Sequence, residues 1–136
     1  MTETWRAVFR EGFAPVLPLD GLRALREALL HNDPAVRPGS TTVPAFEGEV
    51  EHDERPTACC PVAYCGWKPD GLETIGEVSD FFNEACSAAE YRLKEVGASR
   101  HLVNWIDDAP WPEVRAGLLA EVERELDRRQ PPVPRA

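Results

Sequence analysis

Three of the four cysteines, Cys59, Cys60 and Cys65, lie within a stretch of seven residues. A structural zinc ion takes four thiolate or imidazole ligands in tetrahedral geometry, usually from two closely spaced pairs. Cys59 or Cys60 with Cys65 supplies one pair, and His52 and Cys86 complete the set. The chain contains no Cys-x-x-Cys pair, and free cysteine is among the most buried residue types. We therefore interpret the cluster as core packing, with a zinc-stabilised or thiol-redox protein as the alternative.

All of the formal net charge of −9 arises between residues 47 and 112, which hold fourteen acids and five bases. The electrostatic field of this negative charge repels phosphate backbones and attracts basic surfaces. It predicts a protein partner with a basic surface and no direct contact with nucleic acid. The densest acidic run carries the predicted partner-binding residues Glu47, Glu49, Glu51, Asp53 and Glu54. The run lacks the Asp-x-Asp-x-Asp-Gly pattern of a calcium loop, and no cofactor is expected.

Other arrangements that catalyse reactions are missing from the sequence. The three histidines are widely separated, and the chain has neither a Gly-x-Ser-x-Gly elbow nor a glycine-rich phosphate loop. Glu77, Asp80 and Glu84 share one side of a predicted helix without an inward Glu-x-x-His motif, which indicates a solvent face. We predict no catalytic residue and favour a non-enzymatic protein that acts by protein–protein interaction.

A small-molecule site lined by three aromatic residues, Tyr64, Trp67 and Trp105, is a third hypothesis. Aromatic side chains of this kind are more often part of the core, because each buries a large apolar area.

The N-terminal part of the chain predicts two helices. Apolar residues at helical spacing indicate the first over residues 3–11, with Gly12 as its stop, and the second over residues 19–31. Six prolines between residues 33 and 73 exclude a long helix there. We expect an irregular insert over residues 33–73 that can hold a two-stranded sheet, with residues 62–67 as one strand and 49–52 as its partner.

A long core helix follows the insert. Thr74 and Glu77 match a capping box, and apolar residues recur at steps of three and four over residues 75–96. Phe82 on this stripe is predicted to be buried. Residues 100–107 fit a strand or a short helix.

A last helix begins near Pro110 or Pro112 and is predicted to bury Leu118. It is expected to expose two ion pairs, Glu121 with Arg124 and Glu125 with Arg129.

The predicted fold is mainly α, a compact bundle of four to five helices around the 33–73 insert. Its length of 136 residues and hydrophobic content of 43% fit a single globular domain, assigned to residues 1–129. Residues 130–136 are expected to form a flexible Pro-rich tail. The sequence shows neither a signal-peptide pattern nor an apolar run of the roughly 20 residues that span a membrane. We expect a cytoplasmic, acidic protein with reduced cysteines and no membrane association.

Short motifs distributed over most of the chain carry one resemblance. They are Trp5-Arg6, Phe9-Arg10, Gly12-Phe13-Ala-Pro, Ala24-Leu25-Arg26, Tyr64-Cys65-Gly66-Trp67 and Asn104-Trp105. In this pattern the chain resembles a small group of bacterial proteins with no assigned activity. The resemblance implies a bacterial, cytosolic origin and no particular function.

Overall fold

The computed structural model describes residues 3–45, 53–69 and 71–129. Within these ranges the chain forms six α-helices and two short strands, which confirms the mainly α prediction. The elements are α1 (Thr4–Val8), α2 (Leu19–Leu30), β1 (Thr42–Val43), β2 (Ala58–Cys59), α3 (Pro61–Trp67), α4 (Ile75–Leu93), α5 (Ser99–Asp108) and α6 (Trp111–Arg129). The predicted tail at residues 130–136 lies outside the described residues.

The first predicted helix is longer and less regular than expected. α1 continues into a π-helical turn, Phe9–Phe13, and then into a 3₁₀ turn, Ala14–Val16. Gly12 does not end the helix as predicted, because it lies inside the π-helical turn. A Cβ atom at Gly12 would lie 2.9 Å from Cδ1 of Leu93. The glycine therefore allows α4 to pack closely on this segment.

The predicted strand at residues 62–67 is wrong, because this segment forms α3. Pro61 occupies the first turn, where a missing amide costs nothing. Residues 61–66 are all buried, since α3 packs between α2 and α4. A segment that is apolar on every side has no periodicity to distinguish a strand from a buried helix.

The two strands of the insert lie elsewhere, and the predicted partner strand at residues 49–52 is outside the described ranges. β1 and β2 are antiparallel, with Thr42 opposite Cys59 and Val43 opposite Ala58. The amide of Cys60 donates to the carbonyl of Thr41 at 3.0 Å. The small sheet thus holds the start of α3 against the 39–43 segment.

The capping box at the start of α4 is confirmed. The Thr74 hydroxyl accepts from the Glu77 amide, and the Glu77 carboxylate accepts from the Thr74 amide, both at 3.2 Å. The helix ends at Leu93, three residues before the predicted end, because Lys94 adopts a left-handed conformation with φ of 57°. The ambiguous segment at residues 100–107 lies within the helix α5.

The helices bury one continuous apolar core. Its largest fully buried side chains include Phe9, Phe13, Leu22, Leu25, Leu29, Ile75, Leu102 and Leu118. The prediction for Leu118 is confirmed, whereas Phe82 is only half-buried. Backbones of α2 and α3 approach so closely that a Cβ atom at Gly21 would lie 2.0 Å from the Cys65 carbonyl oxygen.

Candidate functional site

The cysteine cluster lies in the core rather than at the surface. Cys59 ends β2, Cys60 precedes the first turn of α3, and Cys65 lies inside that helix; all three are buried. The Cys65 thiol donates to the Pro61 carbonyl at 3.6 Å. Cys86, on α4, is half-buried. This placement agrees with the core-packing interpretation.

Burial also controls the chemistry of these thiols. It raises the pKa of Cys59 to about 12 and that of Cys60 to about 12, although the Ala63 and Val62 amides oppose the shift at Cys60. Burial raises the pKa of Cys65 as well. The thiolate is the form that attacks electrophiles and binds metals. At neutral pH these side chains are therefore held as unreactive thiols.

The proposed zinc ligands are only partly covered by the structure, because His52 lies outside the described residues. Within residues 3–45, 53–69 and 71–129, no three His, Cys, Asp or Glu side chains are grouped so that they could hold a metal ion. Burial raises the pKa of Cys86 to about 11, which also disfavours its thiolate.

The end of the predicted acidic run leads directly onto α4. Glu47, Glu49 and Glu51 lie outside the described residues, whereas Asp53 and Glu54 are described and exposed. The Glu54 carbonyl accepts from the Ile75 amide at 2.8 Å. This bond places the end of the run beside the first turn of α4.

The exposed side of α4 continues this acidic surface. Glu77, Asp80 and Glu84 are all exposed, and their spacing of three and four residues puts them on one side of the helix. Glu73 precedes them and is also exposed. We call these four residues the acidic face.

Few basic groups neutralise the acidic face. In the described part of the chain, no basic side chain lies within 4.0 Å of the Asp80 or Glu84 carboxylates, while Glu73 has a long, exposed contact of 3.7 Å with Arg55. The first base on α4 is Arg92, and its guanidinium donates to the Glu11 carbonyl at 3.1 Å. Asp80 and Glu84 therefore project uncompensated negative charge into solvent.

Two exposed apolar side chains lie at the C-terminal end of the same helix. Tyr91 follows Glu84 by seven residues, two helical turns along the same side, and is 86% exposed. Val96 follows in the turn before α5 and is 98% exposed. Large apolar groups this exposed form no part of the core and are free to contact another molecule.

Two carboxylates of α6, Glu121 and Glu125, are arranged in the opposite way, and the prediction that Glu121 is exposed and pairs with Arg124 is wrong. Glu121 is buried, and its carboxylate accepts from Nη1 of Arg6 and from Nε and Nη2 of Arg10, each at 2.8 Å. Arg124 is not its partner in the structure. The arginines come from α1 and the π-helical turn, more than a hundred positions away in the sequence, so helical spacing gave no signal for this cluster.

Glu125 is also buried, although its predicted contact with Arg129 does form, at 2.7 Å. Arg128 adds a second contact at 2.6 Å. Burial opposes ionisation of both glutamates, but the hydrogen bonds from their arginines outweigh it and hold the pKa of each below its ordinary value. These two acids of α6 are thus neutralised inside the fold.

The three aromatic residues of the small-molecule hypothesis do not form one group. Tyr64 and Trp67 contact each other edge to face, with ring centroids 5.8 Å apart. Trp105 instead stacks on Trp5, with centroids 3.6 Å apart and an interplanar angle of 3°. The Arg6 guanidinium lies over the Trp5 ring of this stack, with its Cζ atom 4.5 Å from the ring centroid. These contacts agree with roles in packing.

Comparisons of the chain with protein-family models, curated proteins and solved structures find no match. No helix within the described ranges is long and apolar enough to cross a membrane.

Proposed function

We propose that this protein binds another protein with a basic surface, and that its negatively charged 47–112 region makes the contact. The observation that carries the proposal is the acidic face of α4, which is exposed and largely unpaired. We propose no catalytic role, and we propose the cytoplasm as the site of the interaction, as the sequence predicts.

The contrast between two sets of carboxylates supports this proposal. Glu121 and Glu125 are buried against arginines and contribute to the fold. Asp80 and Glu84 are exposed and make no described contact that stabilises the fold. Unpaired surface charge of one sign raises the rate at which an oppositely charged partner associates.

The spacing of the charges favours a partner with several basic groups. Glu77 and Glu84 are separated by about 10 Å along the helix axis, at a rise of 1.5 Å per residue. This distance is about one Debye length at 0.1 M salt. A partner that approaches α4 therefore experiences these carboxylates together, as one field.

Tyr91 extends the surface with an apolar anchor. Tyrosine is enriched among the residues that dominate binding energies, because it combines a large apolar area with a polar hydroxyl. We therefore expect the partner to place basic groups along the acidic face and an apolar pocket over Tyr91.

Site-specific photo-crosslinking tests the proposal. A benzophenone amino acid replaces Ser87, which is exposed on α4 between Glu84 and Tyr91, and Ala120, which is exposed on α6, gives the matched control position. We expect a saturable crosslink from position 87, absent from position 120, that disappears at about 1 M salt, where the Debye length is about 3 Å. Equal crosslinking from both positions, or crosslinking unaffected by salt, would contradict the proposal.

The zinc or thiol-redox alternative, centred on Cys59, Cys60 and Cys65, stays a prediction with its own test. Metal analysis of the purified protein, with and without prior treatment with a chelator, measures bound zinc directly. The burial of all three thiols and their raised pKa values make this alternative the weaker proposal.

A further inference from the structure

A cavity of about 240 Å³ lies between the 39–41 segment, the start of α3, α4 and α5. It is separate from the acidic face, and its wall includes Phe82, from the inward side of α4. The volume is below the roughly 300–1,000 Å³ of sites for drug-sized ligands. It suits a molecule with one ring and a short chain.

The wall of the cavity is mostly apolar. Val62, Phe82, Val103 and Ile106 line it, and Cys60 adds a thiol that burial keeps protonated. Phe82 and Val103 are only half-buried. Phe82 lies on the apolar stripe of α4, where the sequence predicts full burial. The core therefore leaves part of this stripe uncovered, and the uncovered part faces the cavity.

The mouth of the cavity is polar and presents hydrogen-bond acceptors. Oδ1 of Asp107 accepts from the Gly39 amide at 3.0 Å, which fixes the carboxylate at the rim and leaves its second oxygen for another donor. The Ser40 hydroxyl already donates to the Thr42 carbonyl at 2.7 Å, so its remaining capacity is as an acceptor. None of the described residues that line the cavity is Arg, Lys or His.

We propose that this cavity binds a small organic amine, whose ring packs against Phe82 and Val103 and whose ammonium group contacts Asp107. An ammonium group carries only donors, which matches a mouth that presents acceptors. Its charge also complements the Asp107 carboxylate, and charge-assisted hydrogen bonds are the stronger class. An anionic ligand of the same shape is repelled by that carboxylate.

Binding measurements with three ligands of one shape test the proposal. The probes are 2-phenylethylamine, 2-phenylethanol and phenylacetate, measured by ligand-observed NMR and calorimetry on the full chain. We expect the amine to bind about tenfold more tightly than the alcohol, because a hydrogen bond to a charged group contributes more than a neutral one. Phenylacetate should show the weakest binding of the three. Equal affinities, or no saturable binding of the amine at about 10 mM, would overturn the proposal.

Two variants separate the charge from the shape of the site. Asp107→Asn keeps the acceptor for the Gly39 amide and removes the charge, so the affinity for the amine should fall about tenfold, to that for the alcohol. Asp108→Asn makes the same change at an exposed neighbour that does not line the cavity, and should leave both affinities unchanged. An equal effect of the two variants would mean that only the overall charge of the protein attracts the amine.

A third variant tests the location of the site. Val103→Trp fills the cavity and should abolish binding of the amine and of the alcohol, while the far-UV circular dichroism spectrum remains that of a helical protein. Unchanged binding to the folded Val103→Trp variant would place the amine elsewhere and refute the assignment.

Discussion

Replacement of Glu121 by glutamine tests whether the buried ion pairs hold the N-terminal segment onto α6. The carboxylate is 3% exposed and accepts three hydrogen bonds from Arg6 and Arg10, whereas those arginine side chains are 27% and 32% exposed. Removal of one member of a fully buried pair costs about 3–5 kcal/mol. Glu121→Gln should lower the free energy of unfolding by less than this, about 2–3 kcal/mol, because water can solvate the freed guanidinium groups.

Urea denaturation at pH 7, followed by circular dichroism, measures this loss. Glu123→Gln provides the control on the same helix, since Glu123 is 46% exposed and its one ion pair with a described residue is a long contact of 3.7 Å with Arg26. Its loss should stay below about 0.5 kcal/mol, as is usual for exposed pairs. A loss below about 0.5 kcal/mol for Glu121→Gln as well would refute the argument that the cluster stabilises the fold.

The pH dependence of the unfolding free energy provides a second test of the same prediction. The pKa of Glu121 is lowered in the folded state, where burial opposes ionisation but the Arg10 and Arg6 hydrogen bonds outweigh it. The stabilisation is therefore complete above the unfolded-state pKa of about 4.3 and is lost as the pH falls through the lower folded-state pKa. The difference in stability between wild type and Glu121→Gln should shrink in that acidic range. A difference that stays constant down to about pH 2 would contradict the assigned pKa direction.

Four further substitutions test the helix cap of α4 and the packing of the core. Thr74→Ala removes the capping hydrogen bond and should cost about 0.5–2 kcal/mol in thermal or urea unfolding. Gly21→Ala should cost at least about 2–3 kcal/mol, because the new Cβ atom would lie 2.0 Å from the Cys65 carbonyl; no measurable loss would mean that α2 and α3 are further apart than described. Leu118→Ala should cost about 2–5 kcal/mol, and more than Phe82→Ala, because Leu118 is fully buried and Phe82 is half-buried beside a cavity. A larger loss of stability for Phe82→Ala than for Leu118→Ala would show that the cavity is closed in solution.

The helices with one apolar stripe could be predicted from the sequence. α2 and α4 combine apolar residues at helical spacing with clear boundaries, and the Thr74–Glu77 capping box appears in the structure as predicted. Local sequence was sufficient because the features that start these helices lie within a few residues of one another.

α3 could not be predicted in the same way. Its buried residues face α2 on one side and α4 on the other, so polar residues do not alternate with apolar ones. The helix exists because two neighbours cover it, and that information lies outside the segment. The close approach of Leu93 to Gly12 in the π-helical turn likewise joins segments that are far apart in the sequence.

The candidate sites also differ in how far the local sequence predicts them. The acidic surface follows from charge counting, since charged residues without local partners remain exposed. The burial of Glu121 depends on arginines from the other end of the chain. The cavity beside Cys60 depends on four separate segments that meet only in the folded protein. Neither arrangement leaves a pattern in the local sequence.

The association rate constant for the crosslinked partner is the most direct test of the proposed protein-binding function. Asp80→Asn with Glu84→Gln removes two charges from the acidic face, and Glu113→Gln with Asp127→Asn removes two exposed charges from α6, so both double variants have a formal net charge of −7 instead of −9.

We measure association by stopped flow with each protein as the salt concentration increases. We expect salt to slow association of the wild-type protein, and we expect the α4 variant to associate more slowly at low salt. The α6 variant should behave like the wild type. Equal slowing by both double variants, or an association rate that does not change with salt, would contradict the proposal that the acidic face binds the partner.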